Sequence, residues 1–320
     1  MRISYKLAYS GKISIRTDSY KLLPRKMSQR LITLNKFDDL IKLRDIYKAK
    51  GQTQVIGYKT LNNYICWFEK EPRQKHIQIY TLPEVWKSSG LFLIVDRYQL
   101  MIGALDTAEA VEQLKLALPQ LDWSRGYKMP GVPATHLETI LKILTEMGLN
   151  TKTLRLKIVR LERKQIFQLK VVPLPPELEF RPLSLSDAPI VNDIWYSRQH
   201  GSLEYIKRLI TYNQSIGIYI KTTGELIAWC IRCNLGLLGM LHVKDAYRGY
   251  GFAIAIIHRF WCQLAEAGED TITMIADGNT TSLGLFNKLN FKEIGFTYII
   301  RSKRVENMEM WSDELESKEC

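Results

Sequence analysis

The residues with the clearest potential for chemistry lie at 242–257, in the stretch HVKDAYRGYGFAIAII. Arg248, Gly249 and Gly251 stand directly before a long apolar-periodic segment that predicts a helix. A helix N-terminus has free N–H groups and a partial positive charge, and glycines let a phosphate approach that backbone closely. Arg248 adds a planar guanidinium that suits phosphate oxygens. The stretch therefore predicts a pyrophosphate site, and a glycine-eased turn without a ligand is the alternative.

A strand before this loop and a helix after it must hold the loop in position. Period-two apolar patterns after residue 177 predict the strands LEFRPL, IGIYIK, ELIAWCIRC, LGLLGMLHV, TITMIA and FKEIGFTYII. Helical patterns predict SDAPIVNDIWYS, SLEYIKRLITYN, a long helix from about 250 to 267, and TTSLGLFNKL. The glycine-rich loop is therefore expected to follow a strand and to open the long helix.

The first half of the chain predicts a separate α+β unit. Its predicted helices are SQRLITLNKFDDLIKLRDIYKAK, DTAEAVEQLKLALPQL with Asp106 or Thr107 as cap, and THLETILKILTEMG ending at Gly148. Its predicted strands are NYICWF, HIQIYTL, LFLIVDRY, LRLKIVRL and QIFQLKVV.

The proline-rich stretch VVPLPPELEF indicates a linker between two domains, because prolines cannot continue a central strand. No internal sequence repeat is apparent. We expect five segments: a basic leader at 1–27, an α+β domain at 28–172, a linker at 173–178, a second domain at 179–302, and an acid-rich disordered tail at 303–320.

Composition and charge narrow the class of protein. No apolar run approaches the ~18 residues that a membrane span needs. The net charge of +12 is uneven, since residues 1–176 hold 30 Lys and Arg against 15 Asp and Glu. A basic half fits nucleic acid, acidic lipid, anionic metabolites or a solvated basic surface. Because no aromatic-basic RNA motif accompanies it, we do not expect a nucleic-acid partner.

Cysteine use and the leader bear on the compartment. Five sparse cysteines without a framework spacing indicate a reducing environment. Cys230 and Cys233 are predicted to be structural, because a strand and not a helix follows them. Residues 1–27 hold seven basic residues, four serines and one acid, which leaves a transit peptide open. We expect an intracellular monomer, either cytoplasmic or mitochondrial.

Several separated motifs together resemble the GCN5-related N-acyltransferase (GNAT) superfamily. Arg248, Gly251 and Ala253 match its Arg-x-x-Gly-x-Ala acyl-CoA signature. The stretch at 180–188 is similar to its opening strand and cap, and the stretch at 279–282 to the start of its closing helix. The resemblance implies an α/β (α+β) GNAT fold, with a mixed, mostly antiparallel central sheet flanked by helices. It also implies a second, divergent α+β domain at the N-terminus.

Within that superfamily the two-domain layout resembles the glycine N-acyltransferase-like proteins, as a divergent invertebrate-type member. The similarity is carried by DAPIVNDIWYSRQHGSLEYIKRLI, LDWSRG and FLIVDRY. The resemblance implies acyl-CoA or CoA as cosubstrate, no metal, and a small amine or amino acid as acceptor.

The resemblance also implies roles for particular positions. Backbone groups that would pair with the pantetheine arm belong to Leu241, His242 and Val243. Backbone N–H groups that would hold the pyrophosphate belong to Arg248, Gly249, Tyr250, Gly251, Phe252 and Ala253. Residues that would contact the CoA arm are Asn279 and Ser282.

The catalytic positions depart from the family pattern. The base and acid of many relatives fall on Leu237 and Phe286, which are both apolar. Counting in steps of two along the strand defines one face, and that face carries no base. Its residues are Leu235, Leu237, Gly239, Leu241 and Val243. His242 is a candidate for the base, one step off that face. A water chain could instead remove the proton.

The sequence thus favours an acyl-CoA-dependent N-acyltransferase that acts by direct attack in a ternary complex. The acceptor is expected to be a small molecule such as an amino acid. The alternative is a non-catalytic acyl-CoA-binding protein on the same fold, which the missing acid and base favour.

Overall fold

The computed structural model describes residues 30–74, 76–171, 173–199 and 201–302 of the 320-residue chain. The expected leader at 1–27 and tail at 303–320 lie outside these residues. Within the described part, the strands form one twelve-stranded sheet.

The strands are β1 Ile32–Thr33, β2 Ile77–Thr81, β3 Phe92–Asp96, β4 Gln99–Gly103, β5 Lys128–Pro133, β6 Thr151–Leu161, β7 Leu178–Arg181, β8 Ser215–Ile220, β9 Leu226–Arg232, β10 Leu238–Val243, β11 Thr271–Ala276 and β12 Lys292–Ser302. The helices are α1 Phe37–Ala49, α2 Val55–Lys70, α3 Trp86–Ser89, α4 Ala108–Ala117, α5 Leu137–Glu146, α6 Arg163–Ile166, α7 Ala188–Ile194, α8 Ser202–Tyr212, α9 Phe252–Glu266 and α10 Thr280–Lys288. Short 3₁₀ turns precede or follow several of these helices.

The order of strands reveals two halves with the same topology. The order is β1-β2-β3-β4-β5-β12-β6-β11-β10-β9-β8-β7. Among the described strands only the β4–β5 and β10–β11 pairs are parallel. Each half therefore runs through four antiparallel strands and closes with a parallel pair. The sequence contains no visible repeat, yet the chain builds the same arrangement twice.

The last strand of each half lies beside the other half. β6 pairs with β11 from Thr271↔Leu161 to Ala276↔Leu156. β12 pairs with β5 from Thr297↔Pro133 to Arg301↔Lys128. β6 and β12 also pair with each other, so the sheet is continuous across both halves. The proposed linker at 173–178 precedes β7 and stays a prediction as a domain boundary.

Two predicted strands are wrong. NYICWF lies inside α2, a helix with buried residues on most of its faces, including Leu61 and Trp67. A helix buried on most sides has no clear polar stripe, so its apolar run resembles a strand. QIFQLKVV contains the end of α6 and no strand among its described residues. Reciprocal hydrogen bonds between Glu162 and Gln165 cap α6, in a pattern typical of helix starts.

The predicted helix at 28–50 is wrong in its first part, because β1 lies at Ile32–Thr33 and α1 begins only at Phe37. The other helix signals are confirmed. The Thr107 side chain accepts a hydrogen bond from the backbone N–H of Ala110 at the start of α4. Gly148 follows α5 with a φ of +74°, the left-handed conformation that ends helices. The predicted elements after residue 177 all occur in the predicted order.

A buried cluster of polar side chains joins the two halves of the chain. Arg208 of α8 donates to both carboxylate oxygens of Asp96 at 2.7 and 2.9 Å, and the Tyr64 hydroxyl donates to Asp96 at 2.9 Å. Burial raises the pKa of Asp96, but Arg208, Arg97 and the Tyr64 hydrogen bond together outweigh it, so the pKa is lowered. The ionised Asp96 therefore links β3 of the first half to α8 of the second.

Candidate active site

The parallel strands β10 and β11 separate soon after they meet. They pair only at Leu238↔Thr273, where the Thr273 hydroxyl donates to the Leu238 carbonyl at 2.9 Å. Beyond that point β10 remains paired with β9. The gap between the strands is part of a cleft of about 660 Å³. Backbone groups of Leu241, His242 and Val243 therefore have no strand partner on the β11 side among the described residues.

A β-bulge changes which side chains of β10 face the cleft. Gly239 lies opposite Ile231 and His242 lies opposite Trp229, so three steps on β10 match two on β9. Met240 has a φ of +50° within this bulge. His242 therefore shares a sheet face with Gly239, since directly paired residues point the same way. Counting in steps of two is wrong beyond Gly239 for this reason.

The side chains that follow the bulge confirm this shift. The His242 ring packs against the Trp229 ring, with centroids 4.8 Å apart. Leu241 and Val243 instead pack against the core beneath α9, together with Leu238. His242 thus lies on the same side of the sheet as Leu237, which belongs to the opposite core.

The surroundings of His242 favour its neutral form. The side chain is half-buried, and burial lowers its pKa below the ordinary value of 6.5. Arg248 and Lys244 lower the pKa further, while Asp245 acts in the opposite direction. A neutral imidazole can accept a proton at neutral pH, which a general base must do.

Leu237 and Phe286 both line the cleft as expected, and both are buried. The Phe286 ring packs edge-on against Phe291 at 5.1 Å and also contacts Trp261 at 6.0 Å. These contacts give Phe286 a packing role in the core under α9. Neither residue can donate or accept a proton.

The glycine-rich loop opens α9 as the sequence predicts. Gly249 and Gly251 have φ values of +86° and +83°, which side-chain-bearing residues rarely adopt. No atom lies within 4 Å of the place where a Cβ of either residue would stand. Backbone conformation therefore requires these glycines, and they leave the approach to the loop open. Gly251 caps α9 without a side-chain hydrogen bond, so the first N–H groups of the helix stay available.

The side chains of the loop are exposed. The Arg248 side chain is 60% exposed and its guanidinium forms an ion pair with Asp245 at 2.7 Å. Arg248 Nε also donates to the Val243 carbonyl at 3.2 Å. Tyr250 stacks on Phe252, with ring centroids 6.0 Å apart. Arg248 is thus held beside the end of β10 and the start of α9.

Asn279 and Ser282 line the other wall of the cleft, where α10 begins. The Asn279 side chain accepts a hydrogen bond from the Ser282 backbone N–H at 3.1 Å and so caps α10. This cap accounts for the Asn-x-x-Ser pattern in structural terms. A contact with the CoA arm remains a prediction for both residues.

The far part of the cleft is aromatic and comes from α7, α8 and the loop between them. Trp195, Tyr196 and Tyr205 line it, with the Trp195 and Tyr205 rings stacked at 5.8 Å. Among the described residues that line the cleft, none is Asp, Glu, Lys or Arg. An acceptor would therefore meet mainly apolar walls here.

One charged residue beside this region escaped the sequence analysis. Lys128, at the start of β5, is 8% exposed, and its Nζ lies 5.4 Å from the centroid of the Trp195 ring. In the sequence Lys128 is one of 30 basic residues in the first half, and no pattern marks it out. Its burial depends on packing between α7, β5 and β12.

The first half does not repeat the phosphate loop. Its parallel strands β4 and β5 pair at Gln99↔Lys128, as β10 and β11 pair once in the second half. Only 104–107 separate β4 from α4, and this connection contains Asp106 and no glycine. The Asp106 carboxylate also accepts hydrogen bonds from Gln54 and Thr135. A carboxylate at this helix start disfavours a phosphate, so the glycine-rich loop is present in the second half alone.

Within the part of the chain that the structure describes, no group of three or more His, Cys, Asp and Glu side chains is arranged to hold a metal ion. No helix in that part of the chain is long and apolar enough to cross a bilayer.

Comparisons with known proteins agree with the fold. The model of the FR47-like protein family matches residues 215–300, which include β8 through most of β12. The X-ray structure of a Drosophila protein matches with a TM-score of 0.76 and 23% identity, over 87% of this chain and 100% of that chain. A tandem GNAT protein from the clavulanic acid biosynthesis pathway matches with a TM-score of 0.51 and 13% identity, over 85% of this chain and 97% of that chain. A comparison with curated protein sequences finds no match.

The chain therefore has the GNAT fold. The mixed, mostly antiparallel sheet with flanking helices confirms the predicted fold class. The similarity to a tandem GNAT protein fits the repeated topology of the two halves.

Proposed function

We propose that the protein is an acyl-CoA-dependent N-acyltransferase that acylates the amine of a small acceptor such as an amino acid. The observation that supports this most is the cleft between β10 and β11, which runs beside an open glycine-rich helix start. Free backbone groups of a splayed strand suit an amide-containing arm, and a helix N-terminus suits a pyrophosphate. Both features belong to one half of the chain, and the loop follows β10, whose residues Leu238 to His242 line the cleft.

In this proposal the backbone of Leu241, His242 and Val243 pairs with the pantetheine arm. The N–H groups from Arg248 to Ala253 hold the pyrophosphate, and the Arg248 guanidinium exchanges part of its Asp245 contact for phosphate oxygens. Asn279 and Ser282 border the arm from the α10 side. No metal is required for any of these contacts.

The transfer needs one bond made and one broken. The amine nitrogen attacks the thioester carbonyl carbon, the carbon–sulfur bond breaks, and the amine proton is removed while the thiolate leaves. His242 is the proposed proton acceptor, because it faces the cleft beside Gly239 and is neutral at neutral pH. The proton can then reach the thiolate through the imidazole or through water. The two expected catalytic positions are Leu237 and Phe286, and their apolar side chains cannot transfer a proton.

We further propose that the chain is a glycine N-acyltransferase-like protein of the divergent invertebrate type. The quoted sequence similarities support this placement. The overlap with the Drosophila structure along its whole length is consistent with it.

The alternative function is a non-catalytic acyl-CoA-binding protein. The apolar residues at Leu237 and Phe286 favour it, because a binding protein needs no acid or base. The loop at 248–253 would serve either function.

Mass spectrometry of reaction products separates the two. Purified protein is incubated with acetyl-, benzoyl- and longer acyl-CoAs and a mixed pool of amino acids and amines, beside an Arg248→Glu variant. Arg259→Glu is the matched control, since Arg259 is exposed on the same helix and does not line the cleft. We expect N-acyl products from the wild type and the control, and a loss of products with Arg248→Glu.

If no product forms and acyl-CoA still raises the melting temperature of the wild type, the binding protein is the better account. If no N-acyl product forms and acyl-CoA does not change the melting temperature of the wild type, both functions are refuted.

A further inference from the structure

Lys128 is a buried cation without an anionic partner. Its side chain lies within the protein at 8% exposure. Among the described residues, its Nζ has no hydrogen bond and no salt bridge. Burial of an unpaired ammonium is costly, and proteins rarely retain one for packing alone.

The other strongly buried lysine shows the usual solution. Lys59 is 4% exposed, and its Nζ forms a salt bridge with Glu269 and a hydrogen bond to the Asp270 carbonyl at 3.3 Å. The chain therefore pairs one buried lysine and leaves the other without a carboxylate. This contrast indicates that the partner of Lys128 is not supplied by the described fold.

The surroundings of the Lys128 ammonium favour the binding of an anion beside it. Burial and the positive charge of Arg301 together lower its pKa to about 8, while Cys233 acts in the opposite direction. Arg301 lies directly opposite Lys128 in the β12–β5 pair, and no carboxylate among the described residues pairs with it. Two adjacent cations without a carboxylate form a local site of positive charge.

This site adjoins the cleft. The Lys128 ammonium packs on Trp195 and lies near Cys233, and both of those residues line the cleft. The Cys233 backbone N–H donates to the Leu237 carbonyl at 2.8 Å. Lys128 is therefore next to the wall that carries Leu237, the position where relatives place their base.

We propose that Lys128 binds the carboxylate of the acceptor, so that the preferred acceptors are amino acids or other amines that carry a carboxylate. This inference rests on the proposed acyltransferase function. The lining of the cleft has no formal positive charge of its own, and the Lys128 ammonium packs on Trp195 in its aromatic part. The carboxylate of an amino acid held at Lys128 leaves the amine free to point towards Gly239 and His242.

Paired acceptors test the role of Lys128. Phenylalanine and phenethylamine differ only by the carboxylate, as do glycine and methylamine. Lys128→Met is expected to raise KM for each amino acid about tenfold or more and to leave kcat/KM for the matching amine within about twofold. Lys128→Arg retains the charge and should restore part of the affinity for amino acids. Lys152→Met is the matched control, since exposed Lys152 also lies opposite Arg301 in the sheet.

Three results would overturn the proposal. An equal loss for amino acids and amines indicates a structural or proton-transfer role. An unchanged preference in Lys128→Met shows that the carboxylate binds elsewhere. A wild type that prefers the amines excludes a carboxylate site.

Calorimetric binding of reaction products tests the same point without catalysis. N-Acetylphenylalanine and N-acetylphenethylamine are titrated into the wild type and Lys128→Met. Selective binding of the carboxylate compound by the wild type alone supports the site even when no turnover is found. Equal binding by both proteins refutes it. A failure of turnover is thus distinguishable from a failure of the carboxylate site.

Discussion

Replacing Lys128 by Met should stabilise the free protein while it weakens acceptor binding. A shift of the Lys128 pKa from 10.5 to about 8 corresponds to a cost of about 3 kcal/mol, at about 1.4 kcal/mol per pH unit. Met has a similar length and no charge, so it fills the same space without that cost. We expect Lys128→Met to raise the free energy of unfolding at pH 7 by up to about 3 kcal/mol.

The gain should depend on pH in one direction. Below pH 8 the ammonium is charged in both the folded and unfolded states, so its burial cost is fully present. Between about 8 and 10.5 the unfolded state holds a proton that the folded state has released, so the wild type becomes more stable relative to Lys128→Met. Above that window the difference between the two proteins should disappear. Arg301 and Cys233 face the same ammonium and stay unchanged in both proteins.

Urea unfolding at pH 7, 8, 9 and 10.5 measures this difference directly. The midpoint should be higher for Lys128→Met at pH 7, with an unchanged slope. Lys152→Met is the control and should change the free energy of unfolding by less than about 0.5 kcal/mol, because Lys152 is exposed and lies opposite the same Arg301. A Lys128→Met variant that is less stable than the wild type at pH 7 would refute the reasoning, because it would show that the ammonium already has a stabilising partner.

Three other perturbations test the site and its support. Gly251→Ala and Gly148→Ala each place an alanine at a φ above +70° with no close neighbour, so each should lower the free energy of unfolding by about 1–2 kcal/mol. Only Gly251→Ala should also weaken acyl-CoA binding in calorimetry. Arg208→Met leaves the buried Asp96 carboxylate with less compensation and should lower the free energy of unfolding by about 3 kcal/mol in urea titrations. His242→Gln should lower kcat about a hundredfold, and wild-type kcat at saturating acceptor should decrease at acidic pH, below pH 6.5, since burial and Arg248 lower the pKa of the base. A decrease of kcat at acidic pH that is the same in His242→Gln as in the wild type would contradict the assignment of His242.

The sequence was most informative where function depends on local backbone geometry. The loop at 248–253 could be predicted because the glycines and the following helix pattern lie next to each other in the chain. Its two glycines have the left-handed φ values that the prediction implies. The cap at Asn279 is likewise a short-range signal, since its partner is three residues away.

Features that depend on distant partners could not be predicted. The exchange of β6 and β12 between the halves brings together residues about 130 to 150 positions apart, and each strand alone has an ordinary alternating pattern. The bulge at Met240 reverses the facing of His242, and Gly239 inside the strand is the local signal that could have indicated it. In the sequence Lys128 resembles a surface lysine, because its burial depends on β12 and α7, which lie far from it along the chain. Burial of α2 on most sides removed the polar stripe by which a helix is recognised.

The central claim is direct transfer from acyl-CoA to an amine in the cleft beside the glycine-rich loop. One reaction that follows CoA thiol release and N-acyl product together tests it most directly. The account predicts equal amounts of free thiol and N-acyl product at every acceptor concentration, with no increase in the intact mass of the protein. Thiol release without N-acyl product, or a protein that carries a covalent acyl group, would contradict it.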